Sequence, residues 1–433
     1  MSVLVVGLNH RSADFALLER LAIPADEHRK ALRALVALDH VLEAAVLSTC
    51  NRVEVYAHVS RFHAGLHEVL TWLSSRADID PHLLELAHYA YYDDRAAAHL
   101  FSVASGIDSL IIGERQIALQ VRQAGSVARE EGASGRVLRR LFDHAVHVSR
   151  RARAETDIDR GASSIVDVGL DVAARRWGGS LAGRTVLVIG AGTIGALTGA
   201  RLVSEGAGRV LIRNRSPEKA DRLAAQFGGE TVSEGGLRDA LAAADLVVCC
   251  SGASMPLIDV DLVTEVLRQR SEAAYVSPTG EDSDFRPLVV LDLAMPRNVE
   301  VACGTLAGVT LVDLDAVRAV ADTTVTGPTV DAVRGIVEEE AGRFHAWLRA
   351  ARIEPTIRAL RERAEEVRAG ELGRLAARLA DLDPRQREAV EALTRGIVNT
   401  LLHDPTVRLK GLADKGGAEH YAGALRELFD LDE

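Results

Sequence analysis

The stretch TVLVIGAGTIGALTGARL limits the architecture of this chain more than any other. An apolar run, Thr185–Ile189, leads into Gly190, Gly192 and Gly195 and from there into a helical pattern. Gly190 permits a tight turn, Gly192 lets backbone N–H groups approach a ligand, and Gly195 lets helix and strand pack closely. The N-terminus of the following helix adds partial positive charge. With Ala191, Thr193 and Ile194 between them, these residues form a candidate cradle for a dinucleotide pyrophosphate. Such a cradle needs a second, parallel strand, and VLIRN supplies it. The strand-like runs Thr185–Ile189, Arg209–Ile212, Leu246–Cys249, Leu288–Asp292 and Thr310–Val312 alternate with helical patterns, so residues 163–317 are expected to form a doubly wound, parallel, Rossmann-like domain. Where an NAD enzyme places an acid against the ribose hydroxyls, this chain has Arg213, Asn214, Arg215 and Ser216. Positive charge there favours a 2′-phosphate, so NADP(H) is expected over NAD(H); solvated surface arginines are the alternative.

The flanking segments have different patterns. Residues 1–156 mix the β-like runs Val3–Gly7, Ala44–Leu47 and Val53–Val59 with helical stretches Ala13–Ala22 and Ala25–Ala37, and Arg115–Ala154 is largely helical, which predicts an α+β domain. Arg136, Arg139, Arg140, Arg150, Arg151 and Arg153 share that last helical stretch with one acid, Asp143. A solvated face is the plainer reading and an RNA phosphate contact the other. Ser271–Asp284 has no periodicity and is expected to be a loop insertion. From about Thr329 the strands stop, and Glu338–Arg352, Pro355–Leu379 and Pro384–Leu402 carry apolar stripes among dense Glu and Arg, with less pattern over 404–433. Long amphipathic helices cannot bury their stripes alone, so residues 318–433 are expected to be an all-α dimerisation domain. The fold class is then multi-domain α/β.

Composition narrows the function. Lys+Arg 51 against Asp+Glu 62 gives a net charge of −11, which excludes general attraction to phosphate backbones or anionic membranes. The four cysteines, Cys50, Cys249, Cys250 and Cys303, show no paired CxxC spacing, against a disulfide framework or structural zinc. His63 and His67 are spaced four apart without accompanying ligands and read as a solvated helix face, so no metal is expected. The opening residues lack a basic signal-peptide region, and Thr185–Ala200 is too short to span a bilayer, so a cytoplasmic protein without a membrane partner is expected.

Cys50 stands in VLSTCNRVEVY between two β-like runs, with Thr49, Asn51 and Arg52 beside it. A cysteine at such a turn can be a small buried hydrophobe or an exposed nucleophile whose thiolate a nearby cation favours. Cys249, Cys250 and Cys303 read as packing residues. A thiolate combined with a hydride donor suits reduction of an ester through a thioester, provided the two domains share a cleft.

Several segments together resemble the glutamyl-tRNA reductase family: GLNHRSA, STCNRVEVY, HLFSVASGIDSLIIGERQIALQVRQA, GASSIVDVGLDVA, GAGTIG, NRSPEKA, LDLAMPRNV and DPTVRLKGLA. The resemblance runs through nearly the whole chain, and the blocks around Cys50 and SGIDSLIIGE carry it most specifically. It implies a V-shaped homodimer of an N-terminal catalytic domain, an NADPH domain and a helical dimerisation domain, joined by a spinal helix near Val330–Ala351. It further implies NADPH-dependent reduction of glutamyl-tRNA(Glu) to glutamate-1-semialdehyde, with transfer of the product to an aminomutase. Cys50 is then the nucleophile and His99 the histidine needed for activity. Thr49, Asn51, Arg52, Ser109, Glu114, Arg115, Gln116 and Gln120 fall at substrate-contacting positions, Arg52 being suited to grip the free carboxylate. Arg115 and Asp14 stand where the family often has proline, a departure in local loop sequence that leaves the proposed reactive residues in place, and Ser271–Asp284 is longer than the family norm. Two other readings stay open: a shikimate-dehydrogenase-like reductase of a small ketone, and a non-catalytic tRNA-binding protein.

Overall fold

The computed structural model describes residues 2–158, 164–275, 287–320, 327–414 and 418–431. Its contacts divide the chain into two compact units, Ser2–Val337 and Glu338–Glu433.

The first unit opens with an antiparallel sheet of β1 (Ser2–Asn9), β2 (Val41–Thr49), β3 (Arg52–Val59) and β4 (Tyr89–Tyr92), in the order β2-β3-β1-β4. β3 is buried along its whole length, so both faces of the sheet are covered. The helices that cover it are α1 (Phe15–Leu21), α2 (His28–Val36), α3 (Phe62–Ala77), α4 (Pro81–Ala87), α5 (Asp93–Ser105), α6 (Gln116–Glu130) and α7 (Arg136–Glu155). Asp14 caps α1, its carboxylate accepting from the Leu17 N–H at 2.8 Å, which gives this acid a structural reason to replace proline. The arginine-rich helix α7 buries Val137, Leu138, Leu141, Phe142 and Ala145 and leaves Arg136, Arg139, Arg140 and Arg150 exposed.

The same unit continues into a parallel sheet of β5 (Thr185–Ile189), β6 (Arg209–Arg213), β7 (Glu230–Thr231), β8 (Leu246–Cys249), β9 (Leu288–Asp292) and β10 (Val309–Val312), ordered β10-β9-β8-β5-β6-β7. Around it lie α8 (Ile165–Ala174), α9 (Thr193–Ser204), α10 (Pro217–Phe227), α11 (Leu237–Ala243), α12 (Val260–Tyr275) and α13 (Leu314–Val320). Strand residues alternate between two apolar layers. Val186, Val188, Val248 and Leu291 face one side, with Leu170 of α8, and Leu187, Ile189, Val247 and Val290 face the other, with Val263 and Val266 of α12. Each such side chain contributes about 1.5–3 kcal/mol on burial. The first layer also takes in Phe15 and Ile111, with Cys50 and Leu110 packed at its margin, so the antiparallel half is docked on this face of the parallel half. β4 and β7 were not expected, and α12 extends through Ser271–Tyr275, where a loop was expected. The remainder of that expected loop, from 276, lies outside the described residues.

Described by itself, the second unit is helical. α14 (Gly327–Arg374) continues through Pro355, so the stripe Glu338–Arg352 and most of the stripe Pro355–Leu379 lie on one helix. Proline removes one N–H and crowds the preceding turn, but packing of Ile353 and Ile357 on both sides of it holds the helix together. α15 (Ala376–Leu379), α16 (Pro384–Asp414) and α17 (Ala418–Phe429) follow, so much of 404–433 is helical despite its weak pattern. Ile353, Ile357, Leu409, Ala418 and Ala422 form a small core. Leu393, Ile397 and Leu401 of α16 are more than half exposed and fall four apart on one face. Among the described residues no helix is long and apolar enough to cross a membrane.

Candidate active site

β2 and β3 pair down to Thr49↔Arg52, leaving Cys50 and Asn51 as a two-residue turn at the tip of the hairpin. The turn is pinned from three sides. The Asn51 N–H donates to Thr49 Oγ1 at 3.2 Å, the His10 N–H donates to the Asn51 carbonyl at 3.0 Å, and Asn51 Nδ2 donates to Cys50 Sγ at 3.4 Å. Cys50 is half-buried. Burial pushes its thiol up to about 12, the Glu114 carboxylate adds to this, and Arg318 and Arg52 oppose it.

Beneath the turn lies a buried charge cluster centred on Glu54, which is fully enclosed. Its Oε1 accepts from Arg52 Nη1 at 2.7 Å, the Tyr89 hydroxyl at 2.6 Å and His99 Nε2 at 2.8 Å, and its Oε2 accepts from the Tyr56 hydroxyl at 2.6 Å. Burial alone would raise the Glu54 carboxyl; the Arg52 charge, then His99 and the hydrogen bonds, hold it well below the usual carboxylate range. Gly7 of GLNHRSA makes room for this cluster, since a Cβ there would come within 2.7 Å of Glu54 Cγ and 3.0 Å of the Tyr89 hydroxyl. His99, on α5, lies against Tyr89 and Tyr91, each ring centroid 5.2 Å away.

Arg52 is almost fully buried and its fork is occupied. Besides Glu54 it donates to Asp108 Oδ2 at 3.0 Å and to the Asp108 carbonyl. Asp108 also pairs with the exposed Arg11 at 2.8 Å. Ser109 follows in the loop joining α5 to α6, its hydroxyl buried and without a partner among the described residues, as is Gln116 Oε1 at the start of α6. Glu114, Arg115 and Gln116 line one wall of a cleft of about 360 Å³ whose other wall carries Ser164, Asp167 and Arg201 of the parallel half. Burial pushes the Glu114 carboxyl up to about 7. Gln120 lies one turn further along α6 and is half-buried. Thr49, Cys50, Asn51, Arg52 and His99 are thus joined by hydrogen bonds or through Glu54, whereas Arg115 and Gln116 line the neighbouring cleft and Gln120 is not among its lining residues.

At the carboxyl end of β5, where the strand order reverses between β6 and β8, the glycine loop has the shape a dinucleotide requires. Gly190 has φ 122°, and a Cβ there would meet the Cys250 backbone at 2.8 Å. A Cβ at Gly195 would collide with the Gly190 carbonyl, while one at Gly192 would meet nothing, leaving the backbone there open to a phosphate. Ala191 N–H donates to Asn214 Oδ1 at 3.1 Å, tying the loop to the end of β6, and Asn214 Nδ2 donates to the Ser216 carbonyl. Thr193 and Arg215 are exposed and Arg213 half-buried, its Nη2 on the Glu234 carbonyl at 3.4 Å. Ala191 and Ile194 pack at the margin of the same apolar layer as Cys50. The residues present fit a dinucleotide. Cys249 and Cys303 are buried, and Cys250 is half-buried against Ile189 and Gly190. No metal-holding group of His, Cys, Asp or Glu occurs among the described residues.

Sequence reasoning missed Glu54, Asp108, Tyr89 and Arg318. Glu54 alternates with Val53 and Val55 as an outward strand residue would, and only its company of buried neighbours marks it. Arg318 Nη2 donates to Asn51 Oδ1 at 3.0 Å across 267 positions of sequence, and no local pattern announces it. Arg297 likewise stacks over the Phe15 ring at 4.4 Å, and its N–H donates to Glu19 at 2.6 Å.

A parallel sheet with a phosphate-ready glycine loop, docked on a thiol-tipped hairpin, places the chain among Rossmann-fold oxidoreductases with a separate substrate-facing domain. Residues 6–156 match the model of the glutamyl-tRNA(Glu) reductase N-terminal domain, and residues 332–431 that family's dimerisation domain. The glutamyl-tRNA reductase of Frankia alni is 41% identical over 100% of this chain and 96% of its own, and that of Salinispora arenicola 41% identical over 100% and 92%. The solved glutamyl-tRNA reductase of Methanopyrus kandleri is 30% identical, with a TM-score of 0.51 over 100% of this chain and 99% of that one. The chain belongs to the glutamyl-tRNA reductase family. Residues 171–320 match the shikimate/quinate 5-dehydrogenase model, but this match lies between the two reductase matches in one polypeptide. The small-ketone dehydrogenase reading therefore falls, because the likeness belongs to the nicotinamide-binding part alone. The non-catalytic reading falls with it, since the full-length relatives are enzymes.

Proposed function

We propose that this protein reduces the glutamyl ester of glutamyl-tRNA(Glu) to glutamate-1-semialdehyde with NADPH, releasing tRNA, and so performs the first step of tetrapyrrole synthesis from glutamate. Cys50 at the hairpin tip, packed against the layer that also carries Ala191 and Ile194, is the observation that supports this best. The Cys50 thiolate adds to the ester carbonyl, the carbon–oxygen bond breaks, and the terminal ribose oxygen of the tRNA leaves and takes up a proton, giving a thioester. A reduced nicotinamide, when bound, supplies the hydride that releases this acyl group as the aldehyde and restores the thiolate. Gly190 to Gly195 would hold the pyrophosphate, and Arg213, Asn214, Arg215 and Ser216 the 2′-phosphate. Glu54 fixes the Arg52 guanidinium and the His99 ring before substrate arrives, which spares reorganisation during the reaction. A substrate carboxylate reaching Arg52 exchanges with Asp108, which Arg11 keeps paired. Thr49, Asn51 and Ser109 complete the pocket, with Glu114, Arg115 and Gln116 along the adjoining cleft and Gln120 one turn further on α6.

The exposed stripe Leu393, Ile397 and Leu401 supports homodimer formation through the helical unit. A reactive aldehyde product suits direct transfer to an aminomutase, and the cysteines, none in a disulfide, suit the cytoplasm. Oxidation of NADPH by the purified chain, followed by absorbance, tests the reading. Glutamyl-tRNA supports turnover, whereas free glutamate and uncharged tRNA do not; turnover without the ester linkage would exclude it.

A further inference from the structure

Asn51 carries hydrogen bonds on both ends of one side-chain amide. Nδ2 donates to Cys50 Sγ at 3.4 Å, and Oδ1 accepts from Arg318 Nη2 at 3.0 Å. The same guanidinium nitrogen donates to the Cys50 carbonyl at 3.4 Å. Arg318 lies on α13, in the half that carries the parallel sheet, where Asp315 holds it at 3.1 Å and the Phe15 ring lies 5.5 Å beneath it. A guanidinium can only donate, so it dictates which end of the amide faces it. The oxygen must turn toward Arg318, and the N–H is thereby committed to the sulfur. A cation on the oxygen also polarises the amide and strengthens its N–H as a donor. Charge-assisted bonds of this kind favour a thiolate over a thiol.

We infer that Arg318 is a positioning residue for Cys50: it locks the Asn51 amide with its N–H toward the sulfur, so that thiolate formation depends on the sheet-bearing half being docked on the hairpin. Its use in turnover rests on Cys50 being the nucleophile, but the contacts do not. The charged groups that face the sulfur are Glu114 from the loop before α6, Arg52 from β3 and Arg318 from α13. His10, behind the turn, is kept neutral near neutral pH by burial and by Arg11, Arg52 and Arg318.

The test is the rate of Cys50 alkylation by iodoacetamide at pH 8, located by peptide mass spectrometry on the full chain. Arg318→Met is expected to slow modification about tenfold, as a loss of thiolate of that size implies, and Arg318→Lys, which still only donates, to restore most of it. Asn51→Ala is expected to slow it similarly, and the double variant no further than the slower single change. An unchanged or faster rate in Arg318→Met would overturn the inference, because Arg318 would then merely shield the sulfur. Multiplied losses in the double variant would overturn it too. If Arg318→Met is not recovered folded, Arg318→Gln carries the same expectation, since glutamine leaves the amide free to turn. NADPH oxidation with glutamyl-tRNA by the parent chain judges the reductase reading separately.

Discussion

His99 Nε2 lies 2.8 Å from Glu54 Oε1, the oxygen that also receives Arg52 and the Tyr89 hydroxyl. One carboxylate oxygen therefore organises three elements of the fold, β3, β4 and α5, directly below the cysteine turn. The site is built as a buried ionic cluster beside the hairpin turn that carries Cys50.

Removing the charge at the centre of that cluster should cost stability. Glu54→Gln leaves Arg52 with Asp108 alone and is expected to lower unfolding free energy by about 3 kcal/mol, the scale for breaking a buried pair. Because Glu54 is held below the usual carboxylate range, its contribution is complete above that range and declines as pH falls through the folded value. Urea denaturation of parent and variant measures the loss, and equal midpoints would contradict it.

Cys50→Ser is expected to abolish reduction of glutamyl-tRNA while nicotinamide binding, followed by fluorescence, stays within about twofold of the parent, because Cys50 lies on the hairpin turn and outside the Gly190–Gly195 loop, and serine nearly preserves its size. Parent enzyme quenched with charged tRNA but without NADPH should carry a glutamyl adduct at Cys50 in mass spectrometry. Its absence would remove the thioester.

His10 gives a pH signature. Burial, with the Arg11, Arg52 and Arg318 charges, lowers its folded value from 6.5 to about 4. Between these values the unfolded chain binds the extra proton, so stability from this group is full above 6.5 and is lost as pH falls toward 4. The melting-temperature difference between parent and His10→Gln should shrink on acidification through that window. A constant difference would show that His10 titrates normally.

The proposed preference for NADPH assigns a role to two side chains. Arg213→Ala with Arg215→Ala is expected to weaken NADPH binding by roughly tenfold to a hundredfold, as loss of charge-assisted contacts implies, and to leave NADH binding nearly unchanged. Titration calorimetry with both nucleotides decides this; an equal loss for both would assign the arginines to the fold.

What was legible in the sequence follows the physics of each element. β5, β8 and β9 coincide with their apolar runs because a strand buried on both faces leaves no polar interruption to blur its ends. β4 was missed because YAYY is too short and too aromatic to show alternation, and β7 because two residues form no pattern at all. At Cys50, local sequence revealed the turn but not its partners: Asp108 and Arg318 come from remote segments, and their placement depends on how α5 and α13 pack. At Pro355 two stripes read separately form one helix, since proline biases a helix to break but packing can override it.

The stripe of α16 makes a claim about assembly. Ile397→Glu with Leu401→Glu should convert a dimer to monomers in light scattering coupled to size exclusion, with helix content retained, because both side chains are already more than half exposed in the single chain. Unchanged mass would place the interface elsewhere.

Loops ordinarily absorb extra residues, yet the turn at Cys50–Asn51 has no such freedom. One inserted residue that slid β3 by one position against β2 would swing Glu54, together with Arg52 two residues before it, to the opposite face of the sheet and leave Tyr89, His99 and Asp108 without these partners. Evolution of new specificity on this scaffold is therefore steered away from the hairpin and from the connection that carries Asp108, toward α8 and α9 across the cleft, which hold no part of the ionic centre.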